Sequence, residues 1–105
     1  GREHGYKARN TEEHPPLAEL WQAQRELDRW YVAAYDAMKD ALLDEEISFT
    51  FIGGGEGAMT RGEILQHLVS HTAYHRGFVA QMFFDVPARP PVTDLTVFLR
   101  DQPRG

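Results

Sequence analysis

Regular spacing of apolar residues and histidines over residues 64–82 constrains the fold of this chain most. Successive members of this set are four, three, four, three and four residues apart: Ile64, Leu68, His71, His75, Phe78 and Met82. At about 100° per residue, this spacing places them along one face of an α-helix, which we call the apolar stripe. Thr60 and Glu63 have the pattern of a capping box at the start of such a helix. The sequence therefore predicts a long helix over 60–84.

A second long helix is predicted over 17–43. Apolar side chains recur there at intervals of seven, at Leu20, Leu27, Ala34 and Ala41, and the prolines just before the helix suit its first turn. Polar, turn-rich residues 1–16 are interpreted as a loop, and residues 93–101 as a short C-terminal helix capped by Thr93.

The segment ISFTF, residues 47–51, alternates like a short strand and is followed by the glycine-rich GGGEG. We interpret it as one extended piece before a flexible turn, because a single strand cannot form a sheet. The predicted fold class is therefore all-α, and the prediction for residues 1–105 is a single domain.

Length and charge limit the classes of function. A chain of 105 residues is long enough for one small domain. It has 11 Lys and Arg against 16 scattered Asp and Glu, a formal net charge of −5, which argues against nucleic acid or an anionic membrane as a partner. The absence of cysteine leaves only nitrogen and oxygen ligands for any metal. No apolar run has the length of a membrane span, and no leader pattern is present, so we expect a cytoplasmic protein.

His71 and His75 occupy stripe positions where helix packing alone would favour Leu or Ile. Buried imidazoles need partners for both ring nitrogens. Two histidines four residues apart on one helix can coordinate a single zinc, nickel, iron or copper ion. Hydrogen-bonded core histidines and a metal site both remain open at this point. His67 lies about 60° from the stripe, so we expect it to be a flanking neighbour.

One class of metal site is excluded by the residues between the two histidines. They are Thr72, Ala73 and Tyr74, so no glutamate follows His71. The HExxH motif of zinc proteases needs that glutamate as its general base. A protease of this type is therefore ruled out.

The segment ILQHLVSHTAYHRGFVAQMFFDVPARPPVTDLTVFLRD, residues 64–101, resembles the C-terminal half of the DinB family of metal-binding four-helix bundles. The similar features are the run HLVSHTAYHRG, the PP after a short loop and the closing TDLTVFLRD, in the family's order. The helix over 17–43 and the glycine turn after it resemble the family's third helix and its connection. The resemblance implies an up-down four-helix bundle and covers roughly residues 17–101.

In the DinB family, a divalent metal is held by three histidines, one from the second helix and two from the fourth as HxxxH. Carried over by resemblance, the two ligands from the fourth helix are His71 and His75, and His67 is a neighbour of the site. The third histidine ligand is expected outside this chain, because only 16 residues, of polar and turn-rich character, precede the helix over 17–43. His4 and His14 are the only substitutes, and we expect both in solvated loops. The N-terminal helices are thus expected to be missing here or supplied by another chain.

The resemblance also implies a function. Similar proteins use their metal to activate low-molecular-weight thiols such as bacillithiol or mycothiol, which favours a metal-dependent thiol S-transferase using zinc, nickel or iron. Arg76, beside His75, is a candidate for orienting an anionic substrate. Two alternatives stay open, a non-catalytic metal-binding or stress-associated homodimer and a metal-free interaction module. Helix faces left uncovered by absent helices predict a homodimer.

Overall fold

The computed structural model describes Gly5 and residues 13–103, and within them the chain is mostly helical, with one small β-hairpin. In chain order the elements are α1 (Leu17–Asp36), a 3₁₀-helix (Asp40–Asp44), β1 (Glu46–Thr50), β2 (Glu56–Thr60), α2 (Arg61–Met82), a second 3₁₀-helix (Phe83–Asp85) and α3 (Leu95–Asp101). The chain divides into two compact units between Ile64 and Leu65. The single domain expected for residues 1–105 stays a prediction.

The hairpin of β1 and β2 shows that the all-α prediction is wrong in this segment. The strands are antiparallel, with Glu46 opposite Thr60 and Thr50 opposite Glu56. Gly53, Gly54 and Gly55 in the turn have φ angles of 95°, 96° and 90°, a backbone region that favours glycine. The turn is closed by the Phe51 N–H, which donates to the Gly55 carbonyl oxygen at 2.9 Å. The glycines therefore reverse the chain and bring a second strand beside the first.

A half-buried face explains how the glycine-containing β2 pairs with β1. Phe49 lies opposite Gly57, and both are half-buried while their sequence neighbours in the strands are exposed. A Cβ atom at position 57 would lie only 2.8 Å from ring carbons of Phe49. Gly57 is therefore required for close packing of the Phe49 ring over β2, although glycine is a poor strand former by propensity.

The first helix is shorter than predicted, because α1 ends at Asp36 and not at residue 43. The Tyr35 hydroxyl donates a hydrogen bond to the Arg61 carbonyl oxygen at 3.2 Å. The Arg61 N–H donates to the Glu45 carbonyl oxygen at 3.0 Å, and the Arg61 guanidinium contacts the Glu45 carboxylate at 2.7 Å. These contacts join the end of α1 to the base of the hairpin. Tertiary contacts of this kind override helix propensity in the residues between them.

The second long helix begins where the capping pattern predicts. The Glu63 N–H donates to the Thr60 hydroxyl at 3.1 Å, and the Thr60 N–H donates to the Glu63 carboxylate at 2.9 Å. These reciprocal bonds satisfy two backbone N–H groups that the helix itself leaves without acceptors. α2 ends at Met82, and a 3₁₀-helix continues to Asp85. The last helix has Asp94 at its N-cap position, so the prediction of Thr93 as the cap is wrong.

Replacing Thr60 with alanine is expected to lower the free energy of unfolding by about 1 kcal/mol, because the Glu63 N–H loses its side-chain acceptor. Urea denaturation followed by far-UV circular dichroism measures the loss. Thr60→Ser keeps the hydroxyl and should unfold at the same urea concentration as the wild type. Equal destabilisation by both substitutions would contradict a stabilising role of this hydroxyl.

None of the described residues is buried. On α2, Ile64 and Leu68 are half-buried, whereas Phe78 and Met82 further along the stripe are 52% and 60% exposed. Large apolar side chains of α1 are also exposed, among them Leu17, Trp21 and Val32. No described helix is long and apolar enough to cross a bilayer. The predicted helical character of the chain is confirmed, and the four-helix arrangement stays a prediction.

Candidate metal centre

The two stripe histidines bring their ring nitrogens together on α2. The Nε2 atoms of His71 and His75 lie 3.0 Å apart. The residues are one helical turn apart, so their side chains project from the same side of the helix. Their rings meet edge to face, with centroids 4.6 Å apart and an interplanar angle of 81°. This arrangement brings one nitrogen of each imidazole within hydrogen-bond distance of the other.

Neighbouring rings hold the two imidazoles in this arrangement. His67 stacks on His71, with ring centroids 5.1 Å apart and planes 17° from parallel. Tyr74 lies nearly parallel to His71 at 6.0 Å and meets His75 edge to face at 5.5 Å. Phe78 packs edge to face on Tyr74 at 4.8 Å. Two rings, those of His67 and Tyr74, therefore lie against the histidine pair, and Phe78 packs on Tyr74 behind it.

The exposure of the two histidines differs from the expectation that the stripe buries them. His71 and His75 are both exposed, as are Phe78 and Met82 in the same stripe. The stripe is present in the sequence, but the described part of the chain supplies no layer that covers this end of α2. Water can satisfy exposed ring nitrogens, so the cost of burying an unpartnered imidazole does not apply. The case for a metal site therefore depends on the position of the nitrogens.

The separation of the two nitrogens fits a shared metal ion. Histidine nitrogens bind zinc at about 2.0–2.1 Å, which places two ligands about 2.9 Å apart at a right angle and about 3.4 Å apart at a tetrahedral angle. The observed 3.0 Å between the His71 and His75 Nε2 atoms lies within this range. A hydrogen bond in which one ring donates and the other accepts has the same length. One proton and one divalent ion are therefore alternative occupants of the same position.

A pocket of about 220 Å³ adjoins His75. It is partly open, its walls are almost entirely carbon, and its lining consists of Thr72, His75, Arg76, Val79, Ala80, Phe83 and Pro91. His75 thus belongs both to the histidine pair and to the pocket. A molecule in the pocket would contact the same side chain that faces the candidate metal position.

The other residues considered from sequence have different positions. His14 is exposed and directly precedes Pro15, and His4 lies outside the described residues. Arg76 is exposed, and its side chain makes no hydrogen bond or ion pair with any residue in the described part of the chain. Among Gly5 and residues 13–103, no group of three or more His, Asp or Glu side chains is arranged to hold a metal. The described chain therefore supplies a pair of candidate ligands.

Comparison with known proteins identifies the family. A family model described as the DinB family matches residues 4–105 of this chain. The chain belongs to the DinB family. The match confirms the resemblance found in the sequence and extends it over the N-terminal residues that the motifs of 17–101 did not cover. Searches of curated proteins and of solved structures found no match to this DinB chain.

Sequence reasoning missed most of the pocket. Val79, Ala80 and Phe83 have the spacing of one helix face, adjacent to the face that carries the histidines. That periodicity was available from the sequence, but it resembles ordinary apolar packing. Pro91 approaches this face only because the chain turns back after α2. No local pattern in the sequence predicts that Pro91 approaches this face of α2.

Proposed function

We propose that this DinB protein holds a divalent metal ion, zinc, nickel or iron, through His71 and His75 and uses it in thiol-dependent S-transfer. The observation that carries the proposal is the 3.0 Å approach of the two Nε2 atoms on one helix face. Membership of a family with the HxxxH pattern supports the same two ligands. The exposure of both side chains supports access for a third protein ligand and for a small molecule.

We propose that a second copy of the chain completes the assembly, as a homodimer with a helical bundle. Exposed apolar side chains on α1 support this, since Leu17 is 82% exposed, Trp21 61% and Val32 64%. Burying such side chains is worth about 25 cal/mol for each Å² removed from water. The uncovered end of the α2 stripe supports pairing in the same way, and a partner helix there could supply the third histidine.

The role of the chain's own residues follows from the geometry. When bound, an ion held by imidazoles lowers the pKa of a coordinated thiol, so that more of the nucleophilic thiolate is present near neutral pH. His71 and His75 would hold the ion through Nε2. Tyr74 and His67 keep the two rings oriented by stacking and edge contacts. The adjoining pocket gives a second molecule a place beside His75.

The test is the rate at which bacillithiol reacts with monochlorobimane, in which a carbon–sulfur bond forms, chloride leaves and the thiol proton passes to buffer. Zinc-loaded wild type is expected to accelerate the reaction at least about 100-fold over zinc alone, because a bound thiol is both activated and positioned. His71→Ala with His75→Ala should return the rate to that of zinc alone. His67→Ala removes an imidazole that is not a proposed ligand, so at the same zinc concentration it is the matched control and should lose much less of the acceleration than the double variant.

Bound zinc without acceleration would contradict the transferase and favour a non-catalytic metal-binding homodimer instead. The specific observation for that candidate is the set of exposed apolar side chains on α1, which a dimer would cover. Metal content measured in the same samples separates the two candidates. Equal acceleration by the wild type and by the double variant would contradict His71 and His75 as the metal ligands.

A further inference from the structure

The pocket beside His75 lies on a different side of α2 from the ring cluster. Around the helix axis, Tyr74 and Phe78 fall on one side of His75, and Val79, Ala80 and Phe83 fall on the other. The rings on the first side contact one another and leave the second side open. His75 is therefore the boundary between the candidate metal position and an apolar pocket.

The size of the pocket limits what it can hold. Its volume is about 220 Å³. An apolar cavity of about 150 Å³ already accommodates benzene. A volume of this size suits a phenyl ring with a short chain, and a larger molecule would extend from the partly open pocket into solvent. The carbon-rich lining favours an apolar occupant, because binding removes apolar surface from water.

The two ends of the pocket differ in character. Phe83 supplies an apolar wall about 10 Å along the helix axis from Arg76, and Val79 lies between them, about 4.5 Å from Arg76. The Arg76 guanidinium makes no ion pair within the described part of this chain. Arginine matches the planar geometry of a carboxylate, and charge-assisted hydrogen bonds between them are strong. The pocket therefore combines an apolar lining with an arginine whose guanidinium has no ion-pair partner in the described part of the chain.

We propose that this pocket binds a small carboxylate whose apolar body is about the size of a phenyl ring, with the carboxylate on Arg76. The role of this compound as the second substrate, beside the thiol, rests on the proposed function. Binding itself does not, because none of the apolar walls depends on a metal. Arg76 and the pocket thus define the class of molecule that is held next to His75.

The experiment uses 3-phenylpropanoate as the probe, titrated into the chelator-treated 105-residue chain and followed by amide chemical shifts in NMR. The largest shifts are expected at Arg76, Val79 and Phe83. The uncharged analogue 3-phenylpropanamide should bind about tenfold more weakly, and Arg76→Gln should weaken binding of the acid by a similar factor. Ala80→Phe fills the pocket and should abolish binding. Ala73→Phe makes the same substitution on α2 outside the pocket and should leave binding unchanged.

Four results would overturn the proposal. The first three are absence of binding, equal binding of the acid and the amide, and equal loss in Ala80→Phe and Ala73→Phe. Binding that disappears as protein concentration rises would place a second copy over the pocket and would also overturn it. Zinc binding and 3-phenylpropanoate binding are measured separately on the wild type, which keeps the two proposals distinguishable. Binding of 3-phenylpropanoate without binding of zinc supports the pocket alone, and binding of zinc without binding of 3-phenylpropanoate supports the metal site alone.

Discussion

Replacing His71 and His75 together with alanine is expected to lower the affinity for zinc by about a thousandfold or more, because the variant loses both of the closely spaced nitrogens proposed to bind the ion. In the wild-type structure the Nε2 atoms of His71 and His75 already lie 3.0 Å apart. Competition titration with a coloured zinc chelator measures the affinity. Each single substitution should give an intermediate loss, since one imidazole remains.

His67→Ala is the matched control for that titration. It removes an imidazole from the same helix and the ring that stacks on His71, but neither of the two closely spaced nitrogens. The zinc affinity of His67→Ala should fall by no more than roughly 10- to 100-fold, which is the loss typical of residues that orient metal ligands. An affinity loss as large as that of the double variant would assign His67 as a ligand. Unchanged affinity in the double variant would contradict the site.

Zinc at about 100 times its dissociation constant is expected to stabilise the folded protein by about 2.7 kcal/mol, because it binds the native state and not the unfolded chain. For a domain of this size, that free energy corresponds to a rise in melting temperature of about 10 °C or more. Differential scanning calorimetry with and without a chelator measures the shift. The chelator-treated sample should contain no zinc, and the loaded sample should contain zinc in excess over the protein.

The double variant provides the control for this stability measurement. His71→Ala with His75→Ala should melt at the same temperature with zinc and with chelator, because alanine offers no ligand. Its chelator-treated melting temperature should lie close to that of the chelator-treated wild type, since both side chains are exposed. A wild-type melting temperature that does not respond to zinc or chelator would favour the metal-free interaction module.

The parts of the fold that could be predicted are those encoded by local patterns. The period of the α2 stripe and the pairing of Thr60 with Glu63 act within one or two helical turns, and both appear in the structure. The His71 and His75 pair follows from the same helical geometry. Each of these features can be predicted from residues that lie within one or two helical turns of one another.

The parts that failed depend on contacts between distant residues. β2 contains Gly57 and Ala58, which have low strand propensity, and it forms because Phe49 packs over Gly57. The end of α1 depends on a hydrogen bond from Tyr35 to Arg61, 26 positions away. The burial expected at His71 would require a covering element, and the described residues leave it exposed. Local periodicity predicts which face is apolar, but not whether anything packs on it.

X-ray absorption at the zinc edge tests the central claim most directly, because it reports the atoms bound to the ion. We predict nitrogen ligands at about 2.0–2.1 Å and the outer-shell scattering of at least two imidazole rings in the zinc-loaded wild type. The His71→Ala, His75→Ala variant, loaded with zinc in the same way, should lack that imidazole signal. A spectrum with oxygen ligands alone, or an imidazole signal unchanged in the variant, would contradict a metal centre built on these two histidines.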